Sequence, residues 1–287
     1  MPLNSYEKLS YKLFGPIAEN IVTDKMKSDL ERAHMDLRGA AYLSFIWLTT
    51  IIIAIASTIL VIILFLIIEL DLWLIIVLLM IPPIATILTY FLLAGLPSSR
   101  ARARGKKIDL HLPYALNFIA AMSSAGITPT EIFKSLSKQK IYGEIREEAL
   151  WIYRDVGLLG RDIISAMKSN IQRTPSDKFK EFLQGAIVTV QSGGSLKSYF
   201  MAKADQYMRE NRITQKQLIE SLGIMAEAYV TAAVAGVLLI IIILPLLMII
   251  RNSPVDELFI VYIFVLIVVP LIHVGFSVVL QSMSGKV

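Results

Sequence analysis

The sequence predicts an all-α membrane protein: four transmembrane helices in two pairs, flanking an antiparallel bundle of about six helices. Three observations predict it. Residues 39–68, 72–99, 228–250 and 258–285 contain no Asp, Glu, Lys or Arg, and about 20 apolar residues suffice to cross a bilayer. The stretch between the second and third runs is charged and patterned at the helical period. Finally, 55% of the 287 residues are hydrophobic and the mean hydropathy is +0.64, an excess that the four runs supply.

Taken in order, residues 1–38 carry six Lys or Arg and six Asp or Glu around Leu9, Leu13, Ile17, Ile21, Met26, Leu30, Ala33 and Leu37. This spacing is helical, with a break expected near Gly15-Pro16. Two readings stay open: a pair of surface-lying or partner-binding helices, or a cap packed on the bundle. No cleavable leader is expected, because the first apolar run is longer than a signal-peptide core. Residues 39–99 form the first two spans. Arg100, Arg102, Arg104, Lys106 and Lys107 follow them directly, whereas the intervening turn offers only Glu69 and Asp71. Retention of basic residues on the cytoplasmic side makes the middle domain and both termini cytoplasmic, with Arg251, Asp256 and Glu257 in a short outer turn and Lys286 inside. Trp73, Tyr42 and Tyr229 fall at expected headgroup levels.

The domain at 100–227 holds 20 Lys and Arg against 13 Asp and Glu, concentrating the positive field on one side. Apolar faces recur through Leu112, Ala115, Leu116, Ile119 and Met122, then Ile145, Ala149, Ile152 and Val156, then Phe179, Phe182, Leu183, Ala186, Ile187 and Val190. Thr128-Pro129-Thr130-Glu131 and Thr174-Pro175-Ser176-Asp177 share one helix-start design, with Thr as cap and Pro in the first helical position. Gly126, Gly157 and the pair Gly193-Gly194 read as left-handed helix ends, and Gly160 as the next start. The helices expected are 109–124, 129–140, 143–156, 160–171, 175–192 and one from 195 that continues into the third span. Residues 228–287 form the last two spans, and Gly223 and Gly236 are places where the long helix can bend or pack closely.

The order of motifs resembles the type II secretion system F family, the inner-membrane platform proteins of type II secretion, type IV pilus, Tad pilus and archaellum machines. Its carriers are Leu112-Pro113-Tyr114-Ala115-Leu116, Ser124-Ala125-Gly126-Ile127 with Glu131, Val156-Gly157-Leu158 with Gly160-Arg161-Asp162 and Ala166, and Gln191-Ser192-Gly193-Gly194-Ser195-Leu196. Upstream, Leu30-Glu31-Arg32-Ala33 and Tyr42-Leu43-Ser44 look like archaeal members. Many members hold two copies of the helical domain, whereas this chain has room for one. The resemblance therefore implies pairing with itself or with a second platform protein, together with a hexameric secretion ATPase and pilin or pseudopilin subunits as partners.

Enzyme chemistry finds no seat in the sequence. Gly105-Lys106-Lys107 lacks the hydroxyl and upstream glycine of a phosphate loop, no Gly-x-Ser-x-Gly elbow occurs, and cysteine is absent. His34, His111 and His273 stand apart without metal-ligand spacing; no catalytic, cofactor or metal residue is assigned. A small transporter or channel with regulatory helices is the alternative, and a membrane enzyme using Glu227 or His273 ranks last. Transport normally needs ionisable groups at membrane depth, and the spans supply only His273. Pro82-Pro83, Pro245 and Pro270 could break helices around a substrate, but prolines are also tolerated as kinks. Thr49, Thr50, Ser57, Thr58, Thr86 and Thr89 read as helix-packing contacts. The cluster 100–107 lies against anionic headgroups, or docks an acidic protein face together with Lys134, Lys138, Arg173, Lys178 and Lys180; nucleic acid fits poorly beside a nearer anionic lipid surface.

Overall fold

The computed structural model describes residues 5–35, 37–67, 72–251, 259 and 262–284, and among these every regular element is helical. Glu69, Asp71, Asp256, Glu257 and Lys286, on which part of the predicted orientation rests, lie outside the described residues. Four helices are long and apolar enough to cross a membrane, within Gly39–Ile67, Val77–Ser124, Leu196–Ile243 and Phe264–Gln281. The chain divides into two compact units, Met1–Asp205 and Gln206–Val287.

The first unit begins with α1 (Ser5–Ile21) and α2 (Asp24–Arg32), followed by the first span, α3 (Gly39–Ile67). The break expected at Gly15-Pro16 is absent: Pro16 sits inside α1 and the chain turns at Val22-Thr23 instead. α1 runs antiparallel to the start of α3, since Tyr6 meets Phe45, Phe14 meets Trp47, and Ala18 packs with Ala40 and Leu43. This packing buries most of residues 40–50, and beyond them the apolar side chains of α3 turn outward: Ile51, Ile55, Ile59, Phe65 and Leu66 are exposed. Such a surface is stable only against acyl chains.

α4 (Leu72–Ser124) is a single helix of 53 residues, about 80 Å at 1.5 Å per residue. No boundary falls between the second span and the basic cluster, so the helix expected at 109–124 is the distal end of a helix begun in the membrane. Pro82, Pro83, Pro97 and Pro113 are all accommodated within it. Tyr42 donates a hydrogen bond to the Leu93 carbonyl at 2.8 Å, pinning α3 to α4. The span hydroxyls mostly serve their own helices: Thr58 and Ser57 donate to the Ala54 carbonyl, Thr86 to Pro82 and Thr89 to Ala85. This is the local bonding that Ser and Thr adopt when backbone carbonyls are their nearest acceptors. Thr49 alone of the six also pairs with another element, the Tyr6 hydroxyl.

Of four shorter helices, α5 (Pro129–Lys138), α6 (Glu144–Gly157) and α8 (Asp177–Gln191) pack on the distal half of α4, and α7 (Ile163–Arg173) packs against α6 and α8. The beginning of α9 (Leu196–Tyr229) joins them through Phe200 and Ala204. The predicted faces are the core: Leu112, Ala115, Leu116 and Ile119 on α4, Ile145, Ala149 and Ile152 on α6, and Phe179, Phe182, Leu183 and Ala186 on α8 are buried. Phe182 stacks on Tyr199 and contacts Phe200 at centroid distances of 5.9 and 5.5 Å.

The helix ends correct several expectations. Thr128 occupies the cap position before Pro129 but its side chain makes no capping bond. Thr174 closes α7, and α8 starts three residues later at Asp177, capped by Ser176, whose Oγ accepts from the Phe179 amide at 3.0 Å. Both Thr residues precede a proline and are therefore held extended; only Ser176 lies one step before its helix with a hydroxyl in reach. Gly157 is the last residue of α6, and the left-handed residue after it is Gly160, with φ +65°. The next helix then starts at Ile163, capped by Asp162. Gly126 and Gly193 are left-handed ends as expected, whereas Gly194 is not in that region.

In the second unit the distal part of α9 passes through a π-helical turn, Val230–Ala235, into α10 (Gly236–Arg251). The long helix from 195 thus continues into the third span, as predicted. A second π turn, Phe264–Val268, opens α11 (Val269–Ser284), and Tyr229 stands edge-on to His273 and Phe276.

Gly185 faces the Tyr199 ring so closely that a Cβ would stand 2.1 Å from the hydroxyl, which itself donates to the Phe182 carbonyl at 2.8 Å. Half-burial pushes the Tyr199 phenol up to about 12, so it remains a donor. Gly185→Ala should displace the ring and destabilise the full-length protein by about 1–3 kcal/mol, measured as an earlier thermal transition in detergent.

Candidate partner-binding surface

The ten cations singled out as a docking set separate into three environments. Arg100, Arg102, Lys106 and Lys107 project from α4 and are exposed, as are Lys138 and Lys178. Lys134 is half-buried, bonded to Glu131 one turn back and placed over the Tyr153 ring, and Lys180 is paired with Asp177. Such neighbouring pairs on one helix contribute only a few tenths of a kcal/mol.

Arg104 belongs to the interior instead, and Arg173 is half-buried beside it. Arg104 is 6% exposed; its Nε donates to Glu144 at 2.9 Å, and its Nη2 lies 2.6 Å from Glu148 Oε1. The Glu148 contact is an ion pair by distance without hydrogen-bond geometry. Arg104 Nη1 also donates to the Arg32 carbonyl, and the guanidinium lies over Trp151. The same indole meets Arg173, which reaches Asp155 at 3.4 Å together with Arg161 at 3.5 Å. Gly105 lets α4 approach this layer, since a side chain there would stand 2.9 Å from the Pro175 carbonyl.

Glu148 is fully buried, and burial pushes its carboxyl above the ordinary range against the opposing pull of Arg104, Asn170 and Thr174. Asp109 is likewise raised by burial, opposed by a hydrogen bond from Ser176 and by the charge of Lys178. Ser176 therefore both caps α8 and ties it to α4. None of these groups was singled out from sequence. The available signal was register: Glu148 is three residues after Ile145 and four before Ile152, and Asp155 three after Ile152, so both carboxylates fall on the apolar face of α6.

A cleft of about 300 Å³ opens beside the cluster, lined by Glu31, His34, Met35, Trp151, Arg154 and Arg173. His34 takes φ +56° to close α2, with its amide bonded to the Glu31 carbonyl and that of Met35 to Leu30, the double bond pattern of a Schellman end. Edge-on packing on Trp151 at 4.8 Å compensates the strain. His111 and His273 bond through Nδ1 to carbonyls one turn back, those of Lys107 and Val269. At the opposite end of α6, Leu158 and Leu159 form an exposed apolar tip, 71% and 59% accessible.

Comparison with known proteins places this surface in a family context. Residues 115–244 match the family model described as type II secretion system (T2SS), protein F. An uncharacterized protein of Methanocaldococcus jannaschii is 35% identical over 136 residues, covering 47% of this chain and 23% of the relative. Flagella accessory protein J of the same organism is 27% identical over 139 residues, and that of Methanococcus voltae 25% over 139, each covering 48% of this chain and 25% of the relative. The matched region thus spans about a quarter of these relatives' length. No solved structure matches.

Removing Arg104 isolates Glu148 in the core. Arg104→Met should cost about 3–5 kcal/mol at neutral pH. The sign follows from the raised carboxyl: Glu148 costs least when protonated, so the penalty is smallest below the ordinary glutamate range and grows as pH rises through the folded-state pKa. Thermal unfolding of the variant across pH should show partial recovery in acid, and a pH-independent deficit would refute the pairing.

Proposed function

From the match of residues 115–244 to the T2SS protein F model, we propose that this chain is a non-enzymatic membrane platform on which a type IV pilus-like or archaellum-like filament, or a secretion pseudopilus, is assembled. The observation that carries the proposal is the combination of this domain with spans on either side of it and a helix, α4, common to domain and membrane. The names of the flagella accessory relatives support the filament class. The domain faces the cytoplasm, an orientation supported by the exposed Arg100, Arg102, Lys106 and Lys107 at the end of the second span. There it engages a hexameric ATPase, while the spans receive pilin subunits from the bilayer; the ATPase supplies the energy and the platform relays the movement. By the family resemblance, it assembles with a second copy or with another platform protein.

Electrostatic docking through the exposed cations predicts a specific failure. The pair Arg102→Glu with Lys106→Glu should weaken capture of the cognate ATPase by an order of magnitude or more, since like charges facing across an interface cost several kcal/mol. Filaments should be lost while membrane insertion and thermal unfolding stay unchanged. Filament growth undiminished by deletion of 100–227 would refute the platform. Solute flux through proteoliposomes holding this chain alone would establish the transporter in its place.

A further inference from the structure

Helix α1 has one face that, among the described residues of its unit, no element covers. Leu9, Leu13, Ile17 and Ile21 recur every four residues and are 53%, 57%, 55% and 57% exposed. Spacing of four advances 40° per step on a helix, so they form one slowly winding stripe. The other side of α1 is occupied by the first span: the Tyr6 hydroxyl is 3.1 Å from Thr49 Oγ1, Phe14 packs edge-on against Trp47 at 6.0 Å, and Ala18 is fully buried beside Ala40 and Leu43. Exposed Lys8 and Lys12 border the stripe at its amino-terminal half.

The depth of this stripe follows from α3. About 20 residues cross the hydrocarbon layer, and counting back from Ile67 brings its inner edge to about residue 48. The packing agrees, since α3 is mostly buried by protein before Ile51 and exposes its apolar residues after it. Tyr6 and Phe14 touch Phe45, Trp47 and Thr49, so α1 is fastened across the level where acyl chains give way to headgroups. Its distal end descends toward Gly39, where Val22 is the nearest neighbour.

We propose that α1 is an interfacial helix embedded obliquely in the leaflet next to the F domain, with Leu9 and Leu13 among the upper acyl chains and Ile17 and Ile21 progressively shallower. Lys8 and Lys12 meet anionic lipid headgroups. An amphipathic helix with apolar residues on one side and lysines at its border partitions to this boundary, and lysine stems reach outward to the phosphates. The bilayer is the occupant because the attachment to α3 already places the stripe there. This inference needs the first span and not the platform reading, and its test is separable from that reading.

The chain lacks cysteine, so single nitroxide labels can be placed by Leu9→Cys, Leu13→Cys and Ile17→Cys, with Lys25→Cys on exposed α2 as the aqueous reference. Full-length protein would be reconstituted into phosphatidylcholine vesicles containing phosphatidylglycerol, after each labelled variant is shown to unfold at the parent temperature. Power-saturation measurements should find Leu9 and Leu13 accessible to oxygen and several-fold protected from a water-soluble nickel chelate relative to Lys25, with Ile17 between them. Nickel access at Leu13 equal to that at Lys25 would overturn the proposal. So would dipolar broadening between labels at Leu13 that vanishes on dilution with unlabelled protein, which assigns the stripe to a second copy.

Discussion

The buried guanidinium of Arg104 is the interaction from which the first unit takes its register. A cation in an apolar interior is tolerable only where opposite charge and hydrogen-bond acceptors are already in place. Here they come from separate segments: Glu144 and Glu148 on α6, the Arg32 carbonyl at the end of α2, and the face of Trp151. Desolvation offsets much of the attraction, so the cluster's contribution is best understood as specificity. Sliding α4 by one turn against α6 would separate Arg104 from both carboxylates and leave three charges unmatched. Apolar contacts between Leu112, Ile119 and Ile145 would tolerate such a slip far better, because hydrophobic burial is non-directional.

That register matters because α4 is shared. The residues that face lipid and the residues that face the domain core lie on one uninterrupted helix, and its hydrogen-bonded backbone makes displacement of one end a displacement of the other. Four prolines within it would break an isolated helix. Two of them persist on a packed flank: Tyr42 holds the Leu93 carbonyl before Pro97, and Ile108, Leu112 and Leu116 are buried around Pro113. Packing thus overrides intrinsic propensity where the domain can supply it.

The spans and apolar faces were legible in the sequence because both depend on periodicity and length alone. Leu116, Ile152 and Phe182 announce their burial by spacing. What escaped was set by single atoms. A Thr-Pro pair at 128–129 and another at 174–175 look alike in sequence, yet only the second is followed by a serine whose hydroxyl both caps a helix and reaches Asp109. The surface reading of Arg104 failed for a similar reason. Five cations in eight residues read as one patch, but a helix turns 100° per residue, so position 104 faces inward while 102 and 106 face out. The break expected at Pro16 failed because α3 supports α1 along its length.

The two long helices differ in their backbone bonding. α4 keeps α-helical bonding from Leu72 to Ser124, whereas the helix entering the third span widens into a π turn at Val230–Ala235, directly before Gly236. A π turn closes wider i→i+5 rings than the α-helix and occurs mostly as a single-turn bulge, so the chain there departs from the regular bonding that α4 keeps. Gly236 adds no side chain to resist it. The buried charge cluster sits on the regular helix, α4, at Arg104.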